Sequence, residues 1–268
     1  MGAKGRRKLK IRPWMVIVLI ALVIAAAVGI PKLVTAIQTG AFKEGNNEQY
    51  SVANTASNED SPLAGQTVIF LGSSVTYGYA SGGESFVDYL EKVDGITAVK
   101  EAVSGTTLVD EQANGEDSYV TRMKTIDTEI AADAFVCQLS TNDASKGKEL
   151  GEISESYDTE DFDVLTVTGA IEYIIAYARE TWECEVIFFT VPQYESEAYQ
   201  AMVDRLLELQ EKWEFDIIDM WNDEEFNDIT DAEYKLYMSD QFHPTKAGYR
   251  DWWLSKFEED LAAYLGLG

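Results

Sequence analysis

Five short apolar runs follow residue 66 and predict five strands. They occupy residues 67–71, 96–103, 135–139, 186–191 and 215–220 and are rich in Val, Ile and Phe. Near-continuous apolar segments of this length are typical of strands that are covered on both faces. The pattern therefore predicts a sheet at the centre of the domain.

Segments of helical period separate these runs. Apolar residues recur at every third or fourth position within 84–93, 166–182 and 198–213, and residues 120–132 and 245–265 also favour helix. Strands that alternate with helices indicate a parallel sheet, because the helices supply the crossover connections. We therefore predict an α/β fold, a three-layer α/β/α sandwich with a five-stranded parallel sheet. Ligands of such sheets bind beyond the carboxyl ends of the strands.

The N-terminal region has a different pattern. A cluster of Lys and Arg within residues 1–13 precedes 17 uncharged residues, 14–30. As a helix this stretch would extend roughly 25 Å, near the lower limit for crossing a bilayer. We predict a basic cytoplasmic tail (1–13) and a single-pass transmembrane signal anchor (14–37), with the remainder outside the cell membrane. A cleaved signal peptide is the alternative.

Residues 38–65 are rich in Asn, Ser, Glu, Gly and Ala and show no apolar period, which predicts a flexible linker. Residues 66–268 then form one domain. Residues 1–65 hold 8 of the 21 basic and 4 of the 47 acidic residues, so the domain carries a net charge of about −30. Such a surface repels nucleic acid, and we expect no nucleic-acid partner.

Two cysteines, Cys137 and Cys184, fall at or beside predicted strands, which favours two buried thiols over a disulfide. Two cysteines and one distant histidine do not form a zinc site, and we expect no metal or other cofactor. The acidic segment 144–165 is a long loop. A solvated loop is the favoured interpretation, and a functional flap or a calcium site are the alternatives.

The chemistry-bearing residues follow strand ends. Ser74 follows the first strand, Gly105 the second and Asn142 the third, while the single histidine, His243, comes three residues after Asp240. Each has an ordinary structural explanation when taken alone, as a turn, a helix cap or a core residue. Because the carboxyl ends of parallel strands share one edge, we expect the side chains to converge there.

The joint pattern resembles the SGNH hydrolases, also called the GDSL-type lipase/acylhydrolase family, over nearly all of residues 66–268. The blocks are Gly72-Ser73-Ser74, Gly105, Ser140-Thr141-Asn142-Asp143 and Asp240-Gln241-Phe242-His243-Pro244. Two positions depart from the family's commonest pattern, since Ser73 replaces Asp and Ser140 replaces Gly. The resemblance implies an SGNH/flavodoxin-like sandwich.

The resemblance also implies residue roles. Ser74 is the nucleophile, His243 the general base and acid, and Asp240 the orienting carboxylate, while the Ser74 amide, the Gly105 amide and the Asn142 side chain form the oxyanion hole. A neighbouring imidazole is what makes a serine hydroxyl nucleophilic, and fixed donors stabilise the tetrahedral oxyanion. Tyr77 and Tyr79 follow the nucleophile and are weaker candidates for substrate contact.

We therefore expect a membrane-anchored extracellular serine esterase acting on small acyl esters, with acetylated carbohydrate the leading substrate. The sequence does not predict the oligomeric state. The alternative from another class is a non-catalytic surface domain that binds carbohydrate or another ligand on the same fold. Metal-dependent phosphoester hydrolysis is disfavoured, because it needs clustered carboxylates with histidines and the chain has one histidine.

Overall fold

A parallel sheet forms the centre of the domain. The computed structural model describes residues 27, 30–37, 39–111 and 118–267. Within them, five parallel strands pair in the order β2-β1-β3-β4-β5. The strands are β1 (Thr67–Gly72), β2 (Thr97–Ala102), β3 (Ala134–Gln138), β4 (Glu185–Phe189) and β5 (Asp216–Ile218). The prediction of an α/β fold with a five-stranded parallel sheet is confirmed.

Helices cover both faces of this sheet. Phe86 contacts Phe70 and Phe189 on one face, whereas Phe135 stacks against Trp182 on the other. From residue 66 onward the α-helices are Ser74–Tyr77, Phe86–Asp94, Tyr119–Met123, Thr141–Ser145, Val167–Trp182, Glu197–Trp213, Glu224–Asn227, Asp231–Tyr237, Lys246–Gly248 and Leu254–Tyr264, and the π-helical turn Tyr249–Trp253 joins the last two. Alternating side chains of each strand thus enter two separate apolar layers, as parallel strands require.

The helix predicted over 120–132 is shorter than expected. It spans Tyr119–Met123 and is capped by Ser118, whose side chain accepts a hydrogen bond from the Thr121 amide. Beyond it, the Thr125 hydroxyl donates to the Arg122 carbonyl and the Asp127 carboxylate accepts the Glu129 amide. These side chains bond backbone groups locally and compete with continued helix, as Thr and Asp commonly do.

Most of the predicted transmembrane segment and all of the basic tail lie outside the described residues. Residues 30–37 are helical, and Ile30, Leu33, Val34 and Ile37 are exposed. In the portion of the chain that is described, no helix combines the length and apolar character needed to cross a membrane.

Residues 39–65, which composition predicts as a flexible linker, are packed against the domain instead. They form short 3₁₀ helices at Glu44–Asn46, Glu48–Tyr50 and Val52–Asn54, and Leu63 is fully buried. The Tyr89 hydroxyl donates to the Tyr50 carbonyl at 2.6 Å. Hydrogen bonds between polar side chains and the backbone hold this segment in place. Such bonds do not require a periodic pattern of apolar residues, so the sequence pattern did not predict them.

Cys137 and Cys184 are free thiols. Burial raises the pKa of Cys137 well above its ordinary value and raises the pKa of Cys184 to about 11. Both are therefore protonated near neutral pH, and neither is suited to act as a nucleophile.

A carboxyl pair lies where the N-terminal segment meets the last helix. Asp94 is 2% exposed and accepts a hydrogen bond from the Ser61 hydroxyl at 2.6 Å. Burial, followed by the nearby Asp94 charge, raises the pKa of Glu258 to about 7. A carboxyl whose pKa is higher in the folded state than in the unfolded state stabilises the fold most when it is protonated. For Glu258 this contribution is lost as the pH rises through about 7.

We therefore expect Glu258→Gln to stabilise the protein at about pH 8, by roughly 1 kcal/mol, and to have little effect at about pH 4. Thermal unfolding at both pH values measures the difference. Glu259→Gln, at an exposed neighbouring position, is the control. An equal change in melting temperature at the two pH values would contradict the ionisation of Glu258 as its cause.

Candidate active site

Ser74, His243 and Asp240 meet at the carboxyl edge of the sheet. Ser74 Oγ lies 2.8 Å from His243 Nε2, and His243 Nδ1 lies 2.8 Å from Asp240 Oδ2. Ser74 is 6% exposed and His243 is 9% exposed, so the two reacting groups are nearly shielded from water. The chain contributes these groups from segments 169 residues apart. The geometry matches a nucleophile, a base and an orienting acid held in sequence.

The loop that carries Asp240 and His243 is closed on itself. The Ser239 amide donates to the His243 carbonyl, and Met238 pairs with Pro244 in an isolated bridge. Asp240 Oδ1 accepts the backbone amides of Phe242 and His243 at 3.1 and 2.9 Å. The Asp240 carboxylate thus fixes the loop with one oxygen and the imidazole with the other.

The same contacts determine the ionisation of Asp240. Partial burial raises its pKa, but the hydrogen bonds and charge of His243 and the loop amides outweigh burial, so the pKa lies below its ordinary value. Asp240 is therefore a carboxylate near neutral pH. In that state it accepts a hydrogen bond from Nδ1–H and leaves Nε2 free to accept the Ser74 proton.

Ser74 begins the short helix Ser74–Tyr77 directly after β1. A Cβ at Gly72 would overlap the side chains of Thr76 and Gln138, so the chain turns tightly there. Gln138 is fully buried in β3, and its Oε1 accepts the amides of Ser73 and Thr76 and the Thr76 hydroxyl. Gln138 therefore holds the turn that presents Ser74.

Gly105 and Asn142, which follow the neighbouring strands β2 and β3, border Ser74. Gly105 has a φ of +86°, a left-handed conformation that favours glycine. Asn142 Nδ2 donates to the Thr106 carbonyl at 2.9 Å, which orients the amide and leaves its second N–H available. Both residues line the same cavity as Ser74.

Two residues for which the sequence predicts no role, Asp143 and Arg122, hold the loop after β2 in place. Asp143 accepts the amides of Leu108 and Val109, and burial raises the pKa of this carboxyl. Arg122 Nη2 donates to the Gly72 carbonyl and the Thr106 hydroxyl. Gln138 can be recognised in the sequence as a polar residue inside an apolar run. Arg122 lies in a separate short helix, and no pattern in the sequence connects it with the site.

The two departures from the family pattern have local roles. Ser140 Oγ accepts the amides of Asn142 and Asp143 and so caps the helix Thr141–Ser145. Ser73 Oγ accepts a hydrogen bond from Gln138 Nε2 at 3.2 Å. Both serines therefore support the backbone around the site.

The cavity at this edge has a volume of about 300 Å³ and is lined by Ser74, Tyr79, Ser104, Gly105, Asn142 and His243. The Tyr79 and His243 ring centroids are 5.4 Å apart. Tyr77 does not line this cavity. Tyr77 is 45% exposed, and its ring centroid lies 5.9 Å from Lys100 Nζ. The structure thus brings Tyr79, but not Tyr77, to the candidate site.

No residue of the acidic segment 144–165 lines this cavity, although Lys146 Nζ donates to the Gly105 carbonyl at 2.9 Å. The segment borders two larger depressions of about 460 and 590 Å³. Lys212 Nζ holds the segment in place by donating to the Ser154 and Ser156 carbonyls, and it also donates to the Glu172 carboxylate. Across the described residues, no group of three or more His, Cys, Asp or Glu side chains is arranged to hold a metal ion.

Comparison with known proteins gives a family and a set of shared folds. A model of the GDSL-like lipase/acylhydrolase family matches residues 70–250. No curated protein matches significantly. Among solved structures, a protein from Lactobacillus plantarum is 17% identical with a TM-score of 0.60, over 76% of this chain and 98% of that one.

Two carbohydrate esterases are also similar in structure. A carbohydrate acetylesterase family member from Sinorhizobium meliloti is 15% identical with a TM-score of 0.51, over 75% of this chain and 99% of that one. A family two carbohydrate esterase from Clostridium thermocellum, in complex with cellohexaose, is 14% identical with a TM-score of 0.53, over 76% of this chain and 65% of that one. Identities this low indicate a common fold.

Proposed function

Because the chain belongs to the GDSL-like lipase/acylhydrolase family, we propose that it is a serine esterase that hydrolyses small acyl esters. The observation that carries the proposal is the chain of contacts from Ser74 Oγ through the His243 ring to Asp240, with 2.8 Å at each step. A serine, an imidazole and a carboxylate in this order form the machinery of acyl transfer.

In the proposed reaction, Ser74 Oγ attacks the acyl carbon while its proton passes to His243 Nε2. The Asp240 carboxylate stabilises the resulting imidazolium through Nδ1–H. The carbonyl oxygen becomes an oxyanion and accepts hydrogen bonds from the amides of Ser74 and Gly105 and from Asn142 Nδ2. The C–O bond of the ester then breaks, and His243 returns the proton to the leaving alcohol.

Hydrolysis of the acyl-enzyme repeats these steps with water. His243 Nε2 removes a proton from a water molecule, which attacks the acyl carbon, and the bond to Ser74 Oγ breaks as the proton returns to it. The products are a carboxylic acid and the free enzyme. The residues themselves supply every proton transfer in this sequence, so we propose an activity that is independent of metals and insensitive to chelators.

The size and setting of the cavity favour a small acyl group. A volume of about 300 Å³ accommodates an acetyl or similarly short chain beside part of the alcohol. The folds shared with a carbohydrate acetylesterase family member and a carbohydrate esterase support an acetylated carbohydrate as the substrate. The basic cluster and the uncharged stretch 14–30 support attachment to the cell membrane, with the domain on its outer side.

A fluorophosphonate probe followed by peptide mass spectrometry tests the proposal. We expect labelling at Ser74, because such probes capture a serine activated by a neighbouring imidazole. Absence of labelling would favour the alternative of a non-catalytic domain that binds carbohydrate.

Rates with acetyl, butyryl and octanoyl nitrophenyl esters then define the acyl preference, and we expect acetyl to be fastest.

A further inference from the structure

The segment of residues 40–54, which we call the N-terminal strap, lies across the two loops that carry the candidate nucleophile and base. It precedes the span matched by the family model, which begins at residue 70. A Cβ at Gly45 would overlap the Leu236 carbonyl and the Thr245 side chain, so the strap is in close contact with the chain on both sides of the Asp240–His243 loop. The strap is therefore part of the packed structure around the site.

Asn46 is the strap residue that contacts both loops. Its Nδ2 donates to the carbonyls of Gly40 and Ala80 at 2.7 and 2.6 Å, and its Oδ1 accepts the Lys246 amide at 2.9 Å. Ala80 lies six residues after Ser74, and Lys246 lies three residues after His243. One amide hydrogen and the oxygen of this side chain thus join the two segments, while the bond to the Gly40 carbonyl fixes the side chain within the strap.

A second connection runs in parallel. Glu84 Oε1 pairs with Lys246 Nζ at 2.8 Å, and Glu84 Oε2 accepts the Val52 amide at 2.8 Å. The strap therefore contacts the segment after His243 directly through Asn46 and also through Glu84. Tyr79, which borders Ala80, lines the cavity beside His243.

We propose that Asn46 is a positioning residue for the hydrolytic site, holding the Ser74 segment against the His243 segment so that Oγ and Nε2 stay within bonding distance. The proposal rests on the esterase function proposed above. Asn46 acts through Ala80 and Lys246 and does not contact the reacting atoms. Since a displacement of about 1 Å between reacting groups can lower a rate by about 10²-fold, a bridge at this place affects turnover more than binding.

Two substitutions in the full-length chain test the bridge. Asn46→Ala removes all three hydrogen bonds. Asn46→Asp keeps an acceptor for the Lys246 amide but removes both donors and places an oxygen against the Gly40 and Ala80 carbonyls. We expect each variant to lower kcat for nitrophenyl acetate by about 10-fold to 100-fold, with KM changed by less than about twofold.

Asn54→Ala is the matched control. Asn54 lies on the same strap, and among the described residues its side chain bonds to Glu48 and Ser51, which also belong to the strap. We expect this variant to keep the wild-type kcat. Thermal unfolding of all variants establishes that the assays report on folded protein, and the rate of fluorophosphonate labelling at Ser74 gives a second readout of nucleophile activation.

The outcomes separate this proposal from the function itself. An inactive wild-type protein would reject the esterase function. Active wild type with unchanged kcat in both Asn46 variants would reject the positioning role, and so would retained activity in Asn46→Asp alone, because the Lys246 contact would then suffice. Failure of both variants to fold would also reject it, since Asn46 would then serve the stability of the whole domain.

Discussion

We expect Ser74→Ala to lower kcat/KM for a simple acetyl ester by about 10⁴-fold or more while the fold persists. Alanine differs from serine in lacking the hydroxyl group, which in the structure is hydrogen-bonded to His243 Nε2. Loss of one hydrogen bond of this kind costs about 1 kcal/mol of stability, which a domain of this size tolerates. Without the hydroxyl, no acyl-enzyme forms and the probe has no site to label.

Initial rates, melting temperature and probe labelling together measure this result. Ser57→Ala is a suitable control, because Ser57 is exposed and its hydroxyl accepts a hydrogen bond from Lys92, outside the candidate site. A Ser74→Ala protein with wild-type turnover would reject Ser74 as the nucleophile, whatever its contact with the imidazole.

The second large effect is expected for Asn142→Ala, which removes a side-chain donor that we propose stabilises the oxyanion. Loss of one such donor typically lowers kcat by about 10²-fold to 10³-fold, or roughly 3–4 kcal/mol of transition-state stabilisation. KM should change little, because the carbonyl oxygen carries its full negative charge only after attack. Steady-state kinetics with nitrophenyl acetate separates the two constants.

Asn142 also bonds the Thr106 carbonyl, so the melting temperature is measured beside kcat to distinguish loss of the donor from loss of loop support. Asn142→Asp keeps the shape of the side chain but replaces the donor with a negative oxygen, and we expect a loss at least as large. Ser145→Ala, in the same helix and exposed, is the control. Near-wild-type kcat in Asn142→Asp would remove this side chain from the oxyanion site.

The strands at the centre of the sheet, β1, β3 and β4, were predictable because they are buried on both faces and need nearly unbroken apolar sequence. Each of the five predicted runs lies within about two residues of a strand in the structure, including the half-buried edge strand β2, which contains Lys100 and Glu101. The same order of strands placed Ser74, Gly105 and Asn142 at one edge of the sheet, where the structure also places them. Their catalytic roles remain predictions that the variants above test.

The supporting residues were harder to predict, because their partners are distant in sequence. Gln138 bonds Ser73 and Thr76, more than 60 residues away, and Asn46 bonds Lys246 at a separation of 200. Hydrogen bonds of this kind leave no periodicity in a sequence. For the same reason the strap had the composition of a linker, and Tyr77 seemed as close to the site as Tyr79 although it faces Lys100.

The packing of the strap bears on how the protein can be shortened for study or use. A version cut to residues 70–250, the limits of the family match, would retain β2 to β5 together with Ser74, Asp240 and His243, but only the second half of β1. It would lack Asn46, Val52 and the last helix, Leu254–Tyr264. Recombinant versions should therefore begin before residue 40 and extend through the final helix, and activity screens on shorter fragments would underestimate the esterase activity proposed for this protein.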